Sequence, residues 1–449
     1  MSTLLVESAA PEVRWSAAVR VAFRFCIVYF GLYVLTTQML GGLLVVPNWG
    51  FPALEQLPPM KNVVTWTAAH VFHLTRPLVI SGSGSGDKTF NWIASFCLLV
   101  VSIAAAAVWS AIDRKRGAYV DAHKWFRLFL RFAVGSTMLS YGMVKAFPLQ
   151  MPYPPLTRLL EPFGNFSPMG VLWYSVGASP GWERFAGSME LTAAVLLFVP
   201  RLSLLGAMVC FADAVQIFTL NMTYDVPVKL FAFHLILMAL VLIAPDARRV
   251  LNTLVLDRVA PPSSQPPLVR GLRGRRVLLA AQLLFGAYLI GISAFGSYRS
   301  WTRFGGGAPK PPLYGIWNVD RMWIDGVERS PLVTDYARWR RVIVQALTGI
   351  SFQRMDDTVT GYLAKIDVNA RTITLTRVAT PPGAAANPPG ASQAGSGQFT
   401  FQRPDNEHLS LDGVVDGRKI RMQLTLFDRK RFLLVSRGFN WIQEYPFNR

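Results

Sequence analysis

Over its first 300 residues the chain alternates long apolar runs with short polar connections, and beyond residue 297 it changes to two-residue alternation. Seven runs are nearly free of charge and close to the roughly 20 residues needed to cross a hydrocarbon core of about 30 Å. They lie at about 20–41, 92–112, 128–148, 184–200, 203–221, 228–245 and 276–296. The fourth stops at Pro200, and "VPRLSLLG" leaves almost no loop before the fifth. In the later region "VTGYLAKIDVNARTITLTR" reads as two strands about a turn at Asn369 and Ala370, with Tyr362, Ala364 and Ile366 alternating against Leu363, Lys365 and Asp367. "QFTFQR", "HLSLDGVVDGRKIRMQLTLF" (with a hairpin signal at Asp416-Gly417) and "RFLLVSRGF" read as further strands. Seven or eight short strands predict a small closed barrel or a sandwich, closure being one way to remove exposed edges. The expected fold class is thus a polytopic α-helical membrane protein of about seven spans followed by an antiparallel all-β barrel-like domain. In segments, this gives a cytoplasmic N-terminal stretch at 1–19, a helical membrane domain at 20–245, a basic Pro/Ser-rich cytoplasmic linker at 246–275, a seventh span at 276–297 and a β domain at 298–449. A loop at 379–397, "ATPPGAAANPPGASQAGSG", interrupts the β pattern.

Charge gives the orientation. Arg114, Lys115, Arg116, Lys124 and Arg127 lie between the second and third runs, and Arg248, Arg249, Arg258, Arg270, Arg273, Arg275 and Arg276 between the sixth and seventh. Lys and Arg concentrate on the cytoplasmic side of membrane proteins. The 41–90 connection holds only Lys61, Arg76 and Lys88 and should face outward. An inside N-terminus with seven crossings places the β domain on the extracytoplasmic side of a bacterial inner membrane, with the lipid bilayer as the surrounding partner. The first apolar run is long enough to span, so no cleavable leader is expected.

Composition agrees with this picture. The chain is 52% hydrophobic and 16% charged, against about 25% charged for a typical soluble domain. Half of its 26 acidic residues fall after residue 298, as an aqueous domain requires. The net charge of +19 would suggest nucleic acid in a soluble protein, but here the cations sit beside apolar runs and no nucleic-acid module accompanies them. Cys26, Cys97 and Cys210 lie in separate apolar segments without a C-x-x-C pair, which argues for small buried hydrophobes and against thiol–disulfide chemistry. The stretch "SGSGSGDKT" resembles a phosphate loop only superficially. Asp87 stands between Gly86 and Lys88, where a phosphate-cradling loop requires the lysine directly after the glycine. It reads instead as an approach to the second span, with Asp87 and Thr89 serving that helix's first turn.

Charges inside apolar runs are costly unless paired or wetted, which makes a short list of candidates: Lys145, Glu190, Asp213, Asp225, Lys229 and His234. Most fall near the outer ends of their runs, while Asp213 and His234 lie deeper. Of these, Asp213, Lys145, Glu190 and Lys229 predict one polar cavity among the third to sixth spans, reached from the outer leaflet, with snorkelling lysines and a helix-packing network as the structural alternative. His70 and His73, with Asp87, are the one weak metal set, and two histidines are too few for a metal centre. No metal is expected.

Two resemblances add to this reading. Gly315 and Trp317 form a G-x-W that resembles the first strand of lipocalin-like barrels, which can hold one small apolar ligand. Residues 20–245 resemble the DoxX-like membrane proteins, through "SGSGSGDKTFNW", "SYGMVKAFPLQMP" and "GSMELTAAVLLFVPRLSLLGA". That resemblance implies a four-helix membrane unit, here elaborated. It also implies a link to respiratory redox processes, since some members are subunits of a thiosulfate:quinone oxidoreductase, and it gives Lys145 and Glu190 a site label. A quinone is the cofactor class it suggests, and a redox subunit the partner. Two functions stay open: a redox- or quinone-linked membrane subunit, and a non-catalytic envelope binding or assembly protein whose β domain binds an apolar ligand or a partner protein.

Overall fold

A computed structural model describes residues 14–47, 49–260, 266–377 and 396–448. The chain forms two compact units: Met1–Gln150 with Gly181–Ser300, and Met151–Pro180 with Trp301–Arg449. The second is discontinuous, because a segment between two membrane helices joins the β domain.

The first unit is helical. Its elements are α1 (Ala17–Thr36), α2 (Met39–Leu43), α3 (Met60–His70), α4 (Thr89–Ile112) and α5 (Val120–Ala146). After the excursion into the second unit come α8 (Pro180–Phe198), α9 (Ser203–Thr223), α10 (Lys229–Ile243), α11 (Ala247–Leu254) and α12 (Leu272–Phe304). The excursion itself carries α6 (Leu156–Leu159) and α7 (Pro168–Gly177). Each apolar run seen in the sequence is a helix. Among the described residues five segments are long and apolar enough to cross a membrane: Ala17–Thr36, Thr89–Ile112, Pro200–Thr223, Lys229–Leu254 and Leu272–Phe304. The chain is therefore a multi-span membrane protein. The other two runs, α5 and α8, carry Arg127, Arg131, Lys145, Glu183, Arg184 and Glu190, which dilute their hydropathy. Their burial explains why charges are tolerated there. Every residue of α5 from Leu130 to Leu139 is buried, so this helix packs against other helices along that stretch instead of facing lipid. The core around it includes Val34, Ala193, Leu197, Ala207 and Met238. The 246–275 segment, expected as a plain linker, contains α11.

The second unit is a meander of β1 (Gly315–Ile324), β2 (Val327–Glu328), β3 (Trp339–Ala346), β4 (Gly349–Arg354), β5 (Val359–Asp367), β6 (Thr372–Arg377), β7 (Ser396–Gln402), β8 (His408–Val415) and β9 (Arg418–Leu426). Neighbours pair in sequence order, except that β3 pairs with β1, and β1 also pairs with β9, so eight strands close into a barrel and β2 is a short flap on β1. Tyr362 and Ala364 point into the core while Leu363, Lys365 and Asp367 are exposed, as the alternation required. Inward side chains fill the barrel: Trp317, Met322, Phe352, Leu375, Phe399 and Met422 are each at most 1% exposed. The Trp317 indole donates to the Leu313 carbonyl at 3.0 Å. α6 lies on the same unit, with Leu156 buried against Ile316 and Ile343 and the Thr157 amide donating to Gln345 Oε1. "RFLLVSRGF" is not a strand. Leu433–Ser436 forms a short helix, α13, because the barrel has already closed at β9 and offers no free edge. The 379–397 loop falls on residues 378–395, outside the described residues, apart from the first two residues of β7.

Candidate functional site

The 41–88 connection folds over one end of the helical unit and roofs a cavity of about 430 Å³. Its walls come from α1 (Tyr33) and its C-cap Thr37, α4 (Asn91, Ser95), α5 (Tyr141) and the start of α10 (Leu230, Phe231). Its roof is the glycine-rich loop, with Gly82 at φ +80° and Gly84 at φ +72°, backbone angles that favour glycine.

The loop is held by a connection that its sequence position hides. Asp87 does not serve the first turn of α4. Its two carboxylate oxygens accept from the amides of Lys229 (2.8 Å) and Leu230 (2.9 Å), which caps α10 across 142 residues. The Gly86 amide donates to the Pro227 carbonyl at 2.8 Å and reinforces the junction. The free amides at a helix start and the dipole both favour a carboxylate there. Asp87→Ala should therefore cost about 1–2 kcal/mol and speed amide exchange in the first turn of α10, whereas Asp87→Asn, which keeps one acceptor oxygen but turns an amide donor toward the second N–H, should fall between the two. Equal exchange in all three proteins would refute the cap.

Inside the cavity Glu55 is 6% exposed. It is the sole acidic residue between Glu12 and Asp87, and it sits in a short 3-10 turn at Leu54–Gln56. Its Oε1 accepts from Asn91 Nδ2 at 2.9 Å. Burial raises the carboxyl to about 7, against the opposing pull of the Asn91 hydrogen bond and the Lys88 charge. Near neutral pH it can therefore offer either a proton or a lone pair. Asn91 Oδ1 is buried without a hydrogen-bond partner. Gln38 Nε2 donates weakly to the Tyr141 hydroxyl at 3.3 Å. The arrangement is a concave site with apolar walls and a few convergent polar groups.

The raised Glu55 carboxyl also sets a pH dependence of stability. The folded chain holds this proton more tightly than the unfolded one, so its contribution is full below about 4.5 and is lost as pH rises to about 7. The loss should amount to ~3 kcal/mol. Glu55→Gln should flatten that part of the stability–pH curve, and an unchanged slope between pH 4.5 and 7 in the variant would assign it to other groups.

The sequence candidates separate into distinct places. Lys145 and Glu190 meet as a buried ion pair, Nζ to Oε1 at 2.5 Å. The geometry follows from two glycines one turn away. A Cβ on Gly187 would lie 2.7 Å from Lys145 Cβ, and one on Gly142 would lie 2.8 Å from Leu191 Cγ, so α5 and α8 can approach this closely only without those carbons. The Lys145 ammonium is also 5.8 Å from the ring centroid of Tyr141, which lines the cavity. Asp213 forms no ion pair with either of them among the described residues, and its Oδ2 is buried without a hydrogen-bond partner. Lys229 does not join them. It pairs with Asp225 at 2.8 Å and lies 3.9 Å from Asp87, so the expected single cluster is two. His234 is buried in a third arrangement. Its Nδ1 donates to the Leu230 carbonyl at 2.7 Å, its Nε2 accepts from the Tyr29 hydroxyl at 2.7 Å, and its ring stacks on Tyr33 at 3.9 Å. Both ring nitrogens are used, which leaves none for a metal. His70 is exposed, bonded to the Trp66 carbonyl and stacked on the Trp66 ring, and His73 is exposed nearby. Among the described residues no three metal-ligating side chains gather, and both Asp87 oxygens are occupied by the α10 amides.

Sequence reasoning missed Glu55, Asn91, Gln38 and Tyr33. One signal was present: a lone acid in the long stretch between Glu12 and Asp87. The β unit has a larger groove, about 950 Å³, at the Trp317 end of the barrel. Three of its polar side chains are already bonded: Arg403 to the carbonyls of Pro312, Asp405 and Asn406, His408 to Asp405, and Arg321 to Glu328.

No family model and no solved structure matches the chain. Among curated proteins, the uncharacterized protein YwoB of Bacillus subtilis (strain 168) is 30% identical over 133 residues, which cover 28% of this chain and 76% of that protein.

Proposed function

The chain belongs to the family of the uncharacterized protein YwoB, and we propose that its membrane unit holds the head of a quinone or quinol in the cavity under the glycine-rich loop. The observation that carries this reading is the pairing of Glu55 with Asn91 inside apolar walls. A quinone carbonyl accepts a hydrogen bond and a quinol hydroxyl donates one. Protonated Glu55 suits the first, and the unpartnered Asn91 Oδ1 suits the second. Leu230 and Phe231 give the ring apolar contact. The DoxX-like resemblance supports the same class. In this reading the chain is the quinone-holding subunit of a redox assembly, and a partner subunit exchanges the electrons. The side-chain packing inside the barrel makes the membrane cavity the better supported ligand site of the two considered. Native mass spectrometry of the gently extracted protein should show a quinone adduct. A preparation that carries none and takes up no short-tail quinone would overturn the proposal.

The same reading includes seven spans, with the roofed end of the bundle and the β unit facing outward. Parity supports that count. Residues 151–180, which precede α8, and residues 301–449, which follow α12, form one compact unit and so emerge on the same side. If α5 and α8 both cross, the two segments share a side. If only the five most apolar segments cross, they fall on opposite sides. Reporter fusions after residues 60, 118, 262 and 440 test the topology, and a cytoplasmic signal at 440 would reverse it.

A further inference from the structure

At the opposite end of the same helices lies a second cavity, of about 440 Å³, between the start of α5, the start of α9, the end of α10 and the 266–268 segment. Lys124, Arg127, Arg131, Arg201 and Arg249 line it, with Asp246 as the one acid in its wall. Asp246 takes bonds from Arg127 and Arg249 and cannot balance the rest. Lys124 is paired with Asp121 at 2.6 Å. Arg201 makes no hydrogen bond or ion pair among the described residues. We propose that this cavity binds a phosphate ester, the head of an anionic phospholipid drawn from the adjoining leaflet.

Three independent features carry this. The first is the surplus of positive charge lining one half-open cavity, where Lys124, Arg127 and Arg249 are partly buried, Arg131 is buried and Arg201 stands exposed at the edge. The second is Arg131, which is 9% exposed. One of its Nη atoms donates to Gln282 Oε1, while its Nε–H is buried without an acceptor. A buried donor left unpaired is costly, and a phosphate oxygen is the acceptor that a guanidinium fork fits. The third is the α9 N-terminus, which contributes Ser203 and Leu204 to the wall and has no side-chain cap. Its dipole favours an anion at that place. A lipid is the favoured source because the cavity lies at the ends of membrane-crossing helices. Inorganic phosphate shares the chemistry and is a separate arm of the test.

The full chain is placed in nanodiscs of equal phosphatidylglycerol and phosphatidylcholine, extracted into detergent, and its retained lipid measured by native mass spectrometry. Phosphatidylglycerol should be retained at least about tenfold over phosphatidylcholine. Arg201→Gln should lower that preference several-fold while leaving the thermal midpoint of the delipidated protein unchanged, because Arg201 bonds to nothing else. Millimolar inorganic phosphate that binds the delipidated protein and displaces the lipid in wild type but not in Arg201→Gln would keep the site and assign it to free phosphate. Equal retention of the two lipids together with no phosphate binding would overturn the proposal, as would an Arg201→Gln protein that behaves as wild type in both arms.

Discussion

Lys145→Met will destabilise the folded protein by about 3–5 kcal/mol, the cost of leaving one charge of a buried pair without its partner. The side chains of Lys145 and Glu190 are only 9% and 2% exposed, so water cannot replace the lost ammonium. Glu190 Oε2 already lacks a hydrogen-bond partner. Lys145→Met/Glu190→Leu removes both charges and should recover most of the loss, because an apolar pair of similar volume often matches a buried ion pair. Denaturation of the detergent-solubilised protein in a cycle of wild type, two singles and the double gives the coupling. Additive singles, or a Lys145→Met loss under about 1 kcal/mol, would show that the pair is not a unit. Asp213→Asn should then be mild, because Asp213 forms no ion pair with Lys145 or Glu190 among the described residues.

Glu55→Ala will weaken quinone binding by about ten- to a hundredfold, the effect of removing one hydrogen bond and stranding its buried partner. Asn91 Nδ2 loses its acceptor in that variant, and the cavity loses the carboxyl that titrates near neutral pH. Glu55→Gln is the informative companion. Its amide keeps the shape and one donor, so it should bind a quinone nearly as well as wild type does at pH 6. Titration of the purified chain with a short-tail quinone separates the two variants. Wild-type affinity in Glu55→Ala would move the ligand elsewhere.

The membrane helices were legible because a charge-free run of about 20 residues has few alternatives, and the barrel because Tyr362, Ala364 and Ile366 face one way for a whole strand. Lys145 and Glu190 were legible for a related reason: a charge in an apolar run has to find an opposite charge. Which charges meet was not. Lys229, like Lys145, sits at one end of its helix, yet its partners are Asp225 and Asp87, a choice set by how the 80–88 loop folds over α10. The Asp87 cap spans 142 residues, beyond any local pattern. Glu55 lay in plain view, but its buried state comes entirely from the tertiary roof. "RFLLVS" misled because a short apolar run does not by itself distinguish strand from helix.

If Glu55 governs a quinone site under the glycine-rich loop, the affinity for an oxidised short-tail quinone depends on pH between 5.5 and 8.5. The carboxyl near 7 must be protonated to donate to the carbonyl. Affinity should therefore be constant below pH 6 and fall above pH 7, approaching tenfold per unit, while Glu55→Gln binds equally across the range. A wild-type affinity that does not change with pH, or a Glu55→Gln curve that falls with the same slope, would contradict it.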